Sequence, residues 1–113
     1  MKHISKSSAQ EHANSPSCTV WEYGSEGAMD AADALVNGRY PETGFALNEV
    51  SDMSVRVLGG TGKLATKQVI VDVVAGDVVI IPHGEAYYFE GQNLKFFMAC
   101  SPVWSPEQYK EVE

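Results

Sequence analysis

A chain of 113 residues with a formal net charge of −7 is one domain, long enough to bury a core and too short for a second domain. The charge excludes nucleic acid, whose phosphates it would repel, and an anionic membrane surface, and it leaves a small neutral or cationic ligand compatible. Two cysteines, Cys18 and Cys100, lie far apart with no paired spacing and no neighbouring histidine, so they read as buried free thiols and not as a disulfide or zinc framework.

Residues 1–17 are rich in Ser, Lys, His and Asn without periodicity and are expected to form a mobile tail, with His3 and His12 solvated. They contain no apolar core of a secretory signal. The longest apolar run, Val69–Ile81, is interrupted by Asp72, Gly76 and Asp77 and is too short and polar for a membrane span. A cytoplasmic protein is the expectation.

The folded part is expected over residues 18–113, beginning with a strand over Cys18–Tyr23 that puts Cys18, Val20 and Glu22 on one face and Thr19, Trp21 and Tyr23 on the other. The stretch after Gly27 is ambiguous: its alanines permit a short helix at Asp30–Leu35, while Leu35-Val36 running into Asn37-Gly38 favours a strand around Ala34–Asn37. Strands are then expected over Phe45–Val50, Met53–Leu58, Lys63–Ala65 and Val69–Val74, with Gly59-Gly60-Thr61-Gly62 as a hairpin turn. This glycine cluster lacks the Lys-Ser/Thr and the following helix of a phosphate loop.

The stretch Gly76–Gly91 reads as a hairpin. Four β-branched residues, Val78–Ile81, suggest a strand buried on both faces, Pro82-His83-Gly84 stops it, and Ala86–Glu90 returns with Tyr87 and Phe89 on one face. A last strand is expected over Leu94–Cys100. Ser105-Pro106-Glu107-Gln108 has the form of a helix start, giving a short C-terminal helix to about Glu111. Short strands with Gly/Pro punctuation imply an all-β sandwich or barrel.

Laid out in this way, the chain resembles the small single-domain cupins, β-barrels of the jelly-roll, double-stranded β-helix type. The family's second motif, G-x5-P-x-G-x2-H-x3-N, is framed by Gly76, Pro82 and Gly84, with Tyr87 at the histidine position and Gly91 at the asparagine position. In its first motif, G-x5-H-x-H-x3,4-E-x6-G, taking Gly60 as the last glycine puts the two histidines on Ala46 and Asn48 and the glutamate on Met53. Taking Gly59 moves the glutamate position to Asp52. The resemblance covers about residues 34–102 and implies a cupin-like barrel and a homodimer, with the Cys18–Tyr23 strand as the candidate contact. The family's metal is held by three histidines and a glutamate; alanine, amide, thioether and phenol in their places are poor donors, so no metal and no cofactor are expected.

If the register of the resemblance holds, Asn48, Met53, Val55, Val57, Tyr87 and Phe89 face the interior. They form either an apolar pocket for an unknown small organic ligand or a barrel filled by its own side chains. Three functions follow: a metal-free binding protein; a metal-independent isomerase, epimerase or lyase using His83 or Tyr87 for proton transfer, with Glu85 orienting His83; or an atypical metal site drawn from Asp52, His83, Tyr87 or Glu49. The burial of Trp21, Tyr40, Tyr88 and Trp104 stays open at this level.

Overall fold

The computed structural model describes all residues, Met1–Glu113. Nine strands follow in order: β1 (Gln10–Ser15), β2 (Cys18–Glu26), β3 (Met29–Tyr40), β4 (Phe45–Asn48), β5 (Asp52–Thr66), β6 (Ile70–Val73), β7 (Val78–Ile81), β8 (Tyr87–Ser101) and β9 (Tyr109–Val112). All pairings are antiparallel. The long strand β8 is the spine. It carries β3 and then β4 along one edge and β5 along the other; β2 and β1 extend the sheet beyond β3, β9 lies outside β4, and β6 and β7 lie outside β5. The sheet curls into an all-β barrel.

Register explains the curl. Val20, Ala34, Phe96 and Val57 are mutual neighbours across β2, β3, β8 and β5. All four are buried and belong to one cluster of 17 residues. Because alternate residues of a strand share a face, the rows on either side also point inward: Cys18 with Val36 and Leu94, and Glu22 with Ala32, Met98 and Val55. Burying Phe96 at this centre contributes roughly 1.5–3 kcal/mol.

Several expectations are corrected. Residues 10–15, placed by sequence in a mobile tail, form β1 and pair with β2 from Gln10↔Glu22 to Ser15↔Cys18. The strand Cys18–Tyr23 therefore lies between β1 and β3 and offers no free edge for a partner. Its outer face is tied down by Trp21 Nε1 donating to Glu11 (2.8 Å) and Tyr23 Oη donating to Asp33 (2.7 Å). The ambiguous alanine-rich stretch is wholly strand, since its alternate residues Ala32, Ala34 and Val36 fill the core.

Gly76–Gly91 is not a hairpin: β7 pairs with β5 at Met53–Arg56, and β8 lies on the opposite edge of β5. Nor is β7 buried on both faces. It ends the sheet, with Val78 49% and Ile80 69% exposed. The glycine cluster at Gly59–Gly62 is not a turn but a pair of register shifts inside the continuous strand β5. Gly60 has φ +79°, and a Cβ there would strike the Asn93 carbonyl of β8, so only glycine allows the two backbones to pass this closely.

The expected C-terminal helix is a single 3₁₀ turn, Pro106–Gln108, followed by β9. Ser105 makes no side-chain cap, and Gln108, expected to complete a capping box, is buried with its amide committed elsewhere. Its Oε1 accepts from the backbone N–H of Val50 (3.1 Å) and Ser51 (2.7 Å), and its Nε2 donates to Ser51 Oγ (3.0 Å). Freed from the helix, Tyr109–Val112 pairs with β4. No helix is long and apolar enough to cross a membrane.

Candidate functional site

The concave face of the sheet encloses a cavity of about 410 Å³. Its floor is apolar, made by Val20, Ala34, Met53, Phe89, Phe96 and Met98 among others. Tyr87, Phe89 and Phe96 form a continuous aromatic stack along β8, with ring centroids 5.1 and 4.8 Å apart. Polar groups converge on this floor from three directions.

The first comes from β3 and β9. Tyr40 Oη lies 2.8 Å from Tyr109 Oη, and Tyr109 donates to Glu111 Oε2 at 3.0 Å. An ionised carboxylate can only accept, so the single Tyr109 proton is committed to Glu111 and Tyr40 is the donor to Tyr109. A directed chain runs from the cavity to the exposed Glu111. Burial raises the pKa of both phenols above the ordinary tyrosine value. For Tyr109 the hydrogen bond to Tyr40 and the Glu111 charge add to the rise; for Tyr40 the Tyr109 contact offsets part of it.

The second comes from β4 and the segment before the 3₁₀ turn. Trp104 Nε1 donates to Asn48 Oδ1 at 2.9 Å. Asp30 holds this segment in place, its two oxygens accepting from the backbone N–H of Cys100 (2.9 Å) and of Trp104 (3.0 Å). Beside Asn48 stands Tyr87, 5% exposed. Burial pushes its pKa upward, Tyr40 and Cys100 push it further, and the Asn48 amide lowers it. Both Tyr87 and Asn48 line the cavity.

The third direction is β1 and β2. His12 stands opposite Val20 in the register and so shares its inward face with Glu22. Their Nε2 and Oε1 are 3.4 Å apart, both side chains about half exposed at the cavity mouth. The cysteines Cys18 and Cys100 also line the cavity as free thiols, and burial raises their pKa to about 11 and about 12. Neither is a thiolate near neutrality, so neither is a ready nucleophile.

Of the residues singled out from sequence, Asn48, Met53, Tyr87 and Phe89 meet around this cavity. Val55 and Val57 share the inward face of β5 but are 0% and 1% exposed in the core and do not line it. His83 lies elsewhere, in a separate cleft with Lys67, Gln68 and Glu85. Its partner is Asp52, not Glu85: Asp52 Oδ1 accepts from the His83 backbone N–H (2.9 Å) and lies 2.8 Å from Nδ1. These bonds lower the Asp52 pKa. Glu49 faces outward and pairs with Lys110 at 3.8 Å, so Asp52, His83, Tyr87 and Glu49 are not gathered at one point.

Sequence reading did not assign Tyr40, Trp104, Tyr109, Glu111, His12 or Glu22 to the site. One signal was present: Glu22 shares the face of Cys18 and Val20, a charge on an otherwise apolar side.

No protein-family model and no curated protein sequence matches the chain. Solved structures do match it in shape. A histidine variant of Streptomyces Pac13, solved with uridine, superposes with a TM-score of 0.86 at 14% identity, over 100% of this chain and 92% of that one; Pac13 is described as a nucleoside dehydratase. The polyketide cyclase RemF of Streptomyces resistomycificus gives 0.75 at 17% identity, over 100% of this chain and 86% of that one. An RmlC-like cupin from Shewanella frigidimarina gives 0.74 at 14% identity, over 90% and 92%. The fold is the cupin barrel. The divalent metal that this fold implies does not fit the residues here. Ala46 has no donor, Met53 offers a thioether, Tyr87 is held protonated, the Asn48 oxygen already accepts from Trp104, and both Asp30 oxygens are occupied.

Proposed function

We propose that the protein holds a small organic molecule inside the barrel without a catalytic metal. One observation carries this reading: an apolar cavity of about 410 Å³ lies on the concave face with a group of polar side chains, the Tyr40 and Tyr87 phenols and the Asn48 amide, set into its lining. Unfilled apolar volume beside such a group is what a ligand site requires. The test is extraction and mass spectrometry of the purified protein against Ala32→Phe, which fills the cavity, with the variant's fold checked by circular dichroism. A compound that accompanies the wild type at near-equimolar amount and is lost from the variant supports the reading. Equal recovery from both, or none from either, overturns it.

A second reading is favoured by the Tyr40–Tyr109–Glu111 chain: acid–base catalysis of the isomerase or lyase kind. The earlier candidate His83 lies outside the cavity, so the proton-transfer role passes to the phenols. Tyr40 Oη accepts a proton from the ligand as its own proton moves to Tyr109. Tyr109 in turn passes its proton to the Glu111 carboxylate, which releases it to water, so the charge never rests on an isolated phenolate. The likeness in shape to proteins described as a nucleoside dehydratase and a polyketide cyclase agrees with such chemistry. Once the extracted compound is known, Tyr40→Phe should keep its affinity and lose turnover by 10²-fold or more. Unchanged turnover overturns the second reading alone.

A further inference from the structure

The charge arrangement around the cavity narrows the ligand class, an inference that rests on the ligand lying inside the barrel. The ionisable groups other than phenols and thiols that face the cavity are His12 from β1, Glu22 from β2, Asp30 from β3 and Glu111 from β9; no lysine or arginine lines it. The nearby cations are committed to protein groups: at the mouth Lys2 Nζ donates to the Ser25 carbonyl at 3.0 Å. Arg39 lies 3.8 Å from the Tyr88 ring centroid and donates to the Pro41 and Gly44 carbonyls, and Lys110 pairs with Glu49. A phosphate or carboxylate entering this space would lose its hydration and face carboxylates.

The carboxylates are not equivalent. Both Asp30 oxygens are taken by backbone donors, and Glu22 is paired with His12. Glu111 accepts from Tyr109 through Oε2 alone, leaving Oε1 without a partner in the protein. Beside it the rings of Trp104 and Tyr109 meet edge-on, with centroids 6.3 Å apart and planes at 65°. Two aromatic rings at an angle and a carboxylate with a free oxygen form a corner suited to an ammonium group, which aromatic faces attract and a carboxylate neutralises. Deeper in the same cavity the buried Tyr87 phenol stands beside the Asn48 amide, so its polar groups lie at two separate places along the apolar floor.

We infer that the ligand carries a protonated amine, seated in the corner of Trp104, Tyr109 and Glu111. The rest of the molecule lies on the aromatic stack of β8, and Tyr87 is left to hydrogen-bond a neutral oxygen or nitrogen on it.

The test uses three probes of one shape and different charge, benzylamine, benzyl alcohol and benzoate, titrated into the full chain at pH 7. The indole N–H resonance of Trp104 is the reporter. Benzylamine should bind at least tenfold more tightly than benzyl alcohol, and benzoate should leave the resonance unmoved. Glu111→Gln should erase the amine preference while keeping benzyl alcohol binding; Glu49→Gln, which removes an outward carboxylate, should change neither. Equal binding of alcohol and amine, binding of benzoate, or a preference that survives Glu111→Gln overturns the inference and leaves the barrel ligand standing. If no probe moves the Trp104 resonance, the inference and the barrel-ligand reading fall together.

Discussion

Gln108→Ala measures how firmly the C-terminal segment is fastened to the barrel. In the native protein the side chain is 5% exposed and satisfies three groups: the N–H of Val50, the N–H of Ser51, and Ser51 Oγ, which in turn donates to the Pro102 carbonyl at 2.7 Å. Ser51 is 1% exposed, so water cannot replace the lost amide without opening the loop. A net hydrogen bond contributes about 1 kcal/mol, and a buried N–H left unsatisfied costs about 1–3 kcal/mol. Of the two N–H groups only that of Ser51 is deeply enclosed, and the combined loss comes to about 3 kcal/mol. For a domain of this size that is a fall of roughly 10 °C in Tm, a large share of a typical total stability of about 5–15 kcal/mol. Urea unfolding is the assay, with the m-value compared between wild type and variant. A loss below about 1 kcal/mol at unchanged m would refute the reasoning, since it would mean that the loop is already hydrated.

Three further expectations follow from the same geometry. Gly60→Ala forces a Cβ into the Asn93 carbonyl at φ +79° and should destabilise by about 2 kcal/mol or more; a neutral result in thermal unfolding would show that β5 and β8 can separate there. Burial raises the folded pKa of Tyr40, Tyr87 and Tyr109 above the ordinary tyrosine value, so the stability they contribute is complete below about pH 10 and is lost as pH rises through the higher folded values. The phenolate absorbance of Tyr40, Tyr87 and Tyr109 should therefore appear together with loss of circular dichroism, and all five tyrosines ionised in a still folded protein would contradict the burial of these three. Cys18 and Cys100, with thiol pKa values of about 11 and about 12, should react with a disulfide reagent at neutral pH at least tenfold more slowly in the native state than in urea; equal rates would place the thiols in water.

The sequence revealed strand content well and strand pairing poorly. Period-two alternation in Met53, Val55 and Val57 and in Tyr87 and Phe89 marked the inward faces, because burial acts on each residue locally. Partner choice depends on residues far apart in the chain. The turn at Pro82–Gly84 looks like a hairpin from its own residues, yet it carries the chain from one edge of β5 to the other. The glycines of β5 read as a turn for a related reason: what demands Gly60 is the Asn93 carbonyl, which lies far along the chain.

The same division accounts for the site. Asn48, Met53 and Tyr87 were found because they occupy motif positions, whereas Tyr109 and Glu111 lie in a segment whose local pattern reads as helix. Their inward direction is fixed only by pairing with β4, where Ala46 stands between Glu111 on one side and Tyr87 on the other. His12 was discounted because β1 has little apolar content of its own and is ordered by its ladder with β2.

The distribution of polarity across the sheet has a physical logic. The central strands β3, β5 and β8 face neighbours on both edges and supply most of the dry floor. His12 and Glu111, by contrast, lie on β1 and β9, each paired along one edge only. A charge at the floor would carry the full desolvation penalty of a buried ion, while at the ends of a curled sheet it keeps part of its hydration and still faces the cavity. The curl brings these two ends to one mouth, so groups about 100 residues apart in the chain can act on one bound molecule. Metal ligands must converge on a point deep in a barrel; phenols, imidazole and carboxylates need only line its mouth. Proton transfer or binding in this barrel therefore does not require histidines and a glutamate at the motif positions, provided that the groups involved are carried by the sheet's two outer strands and not by its centre.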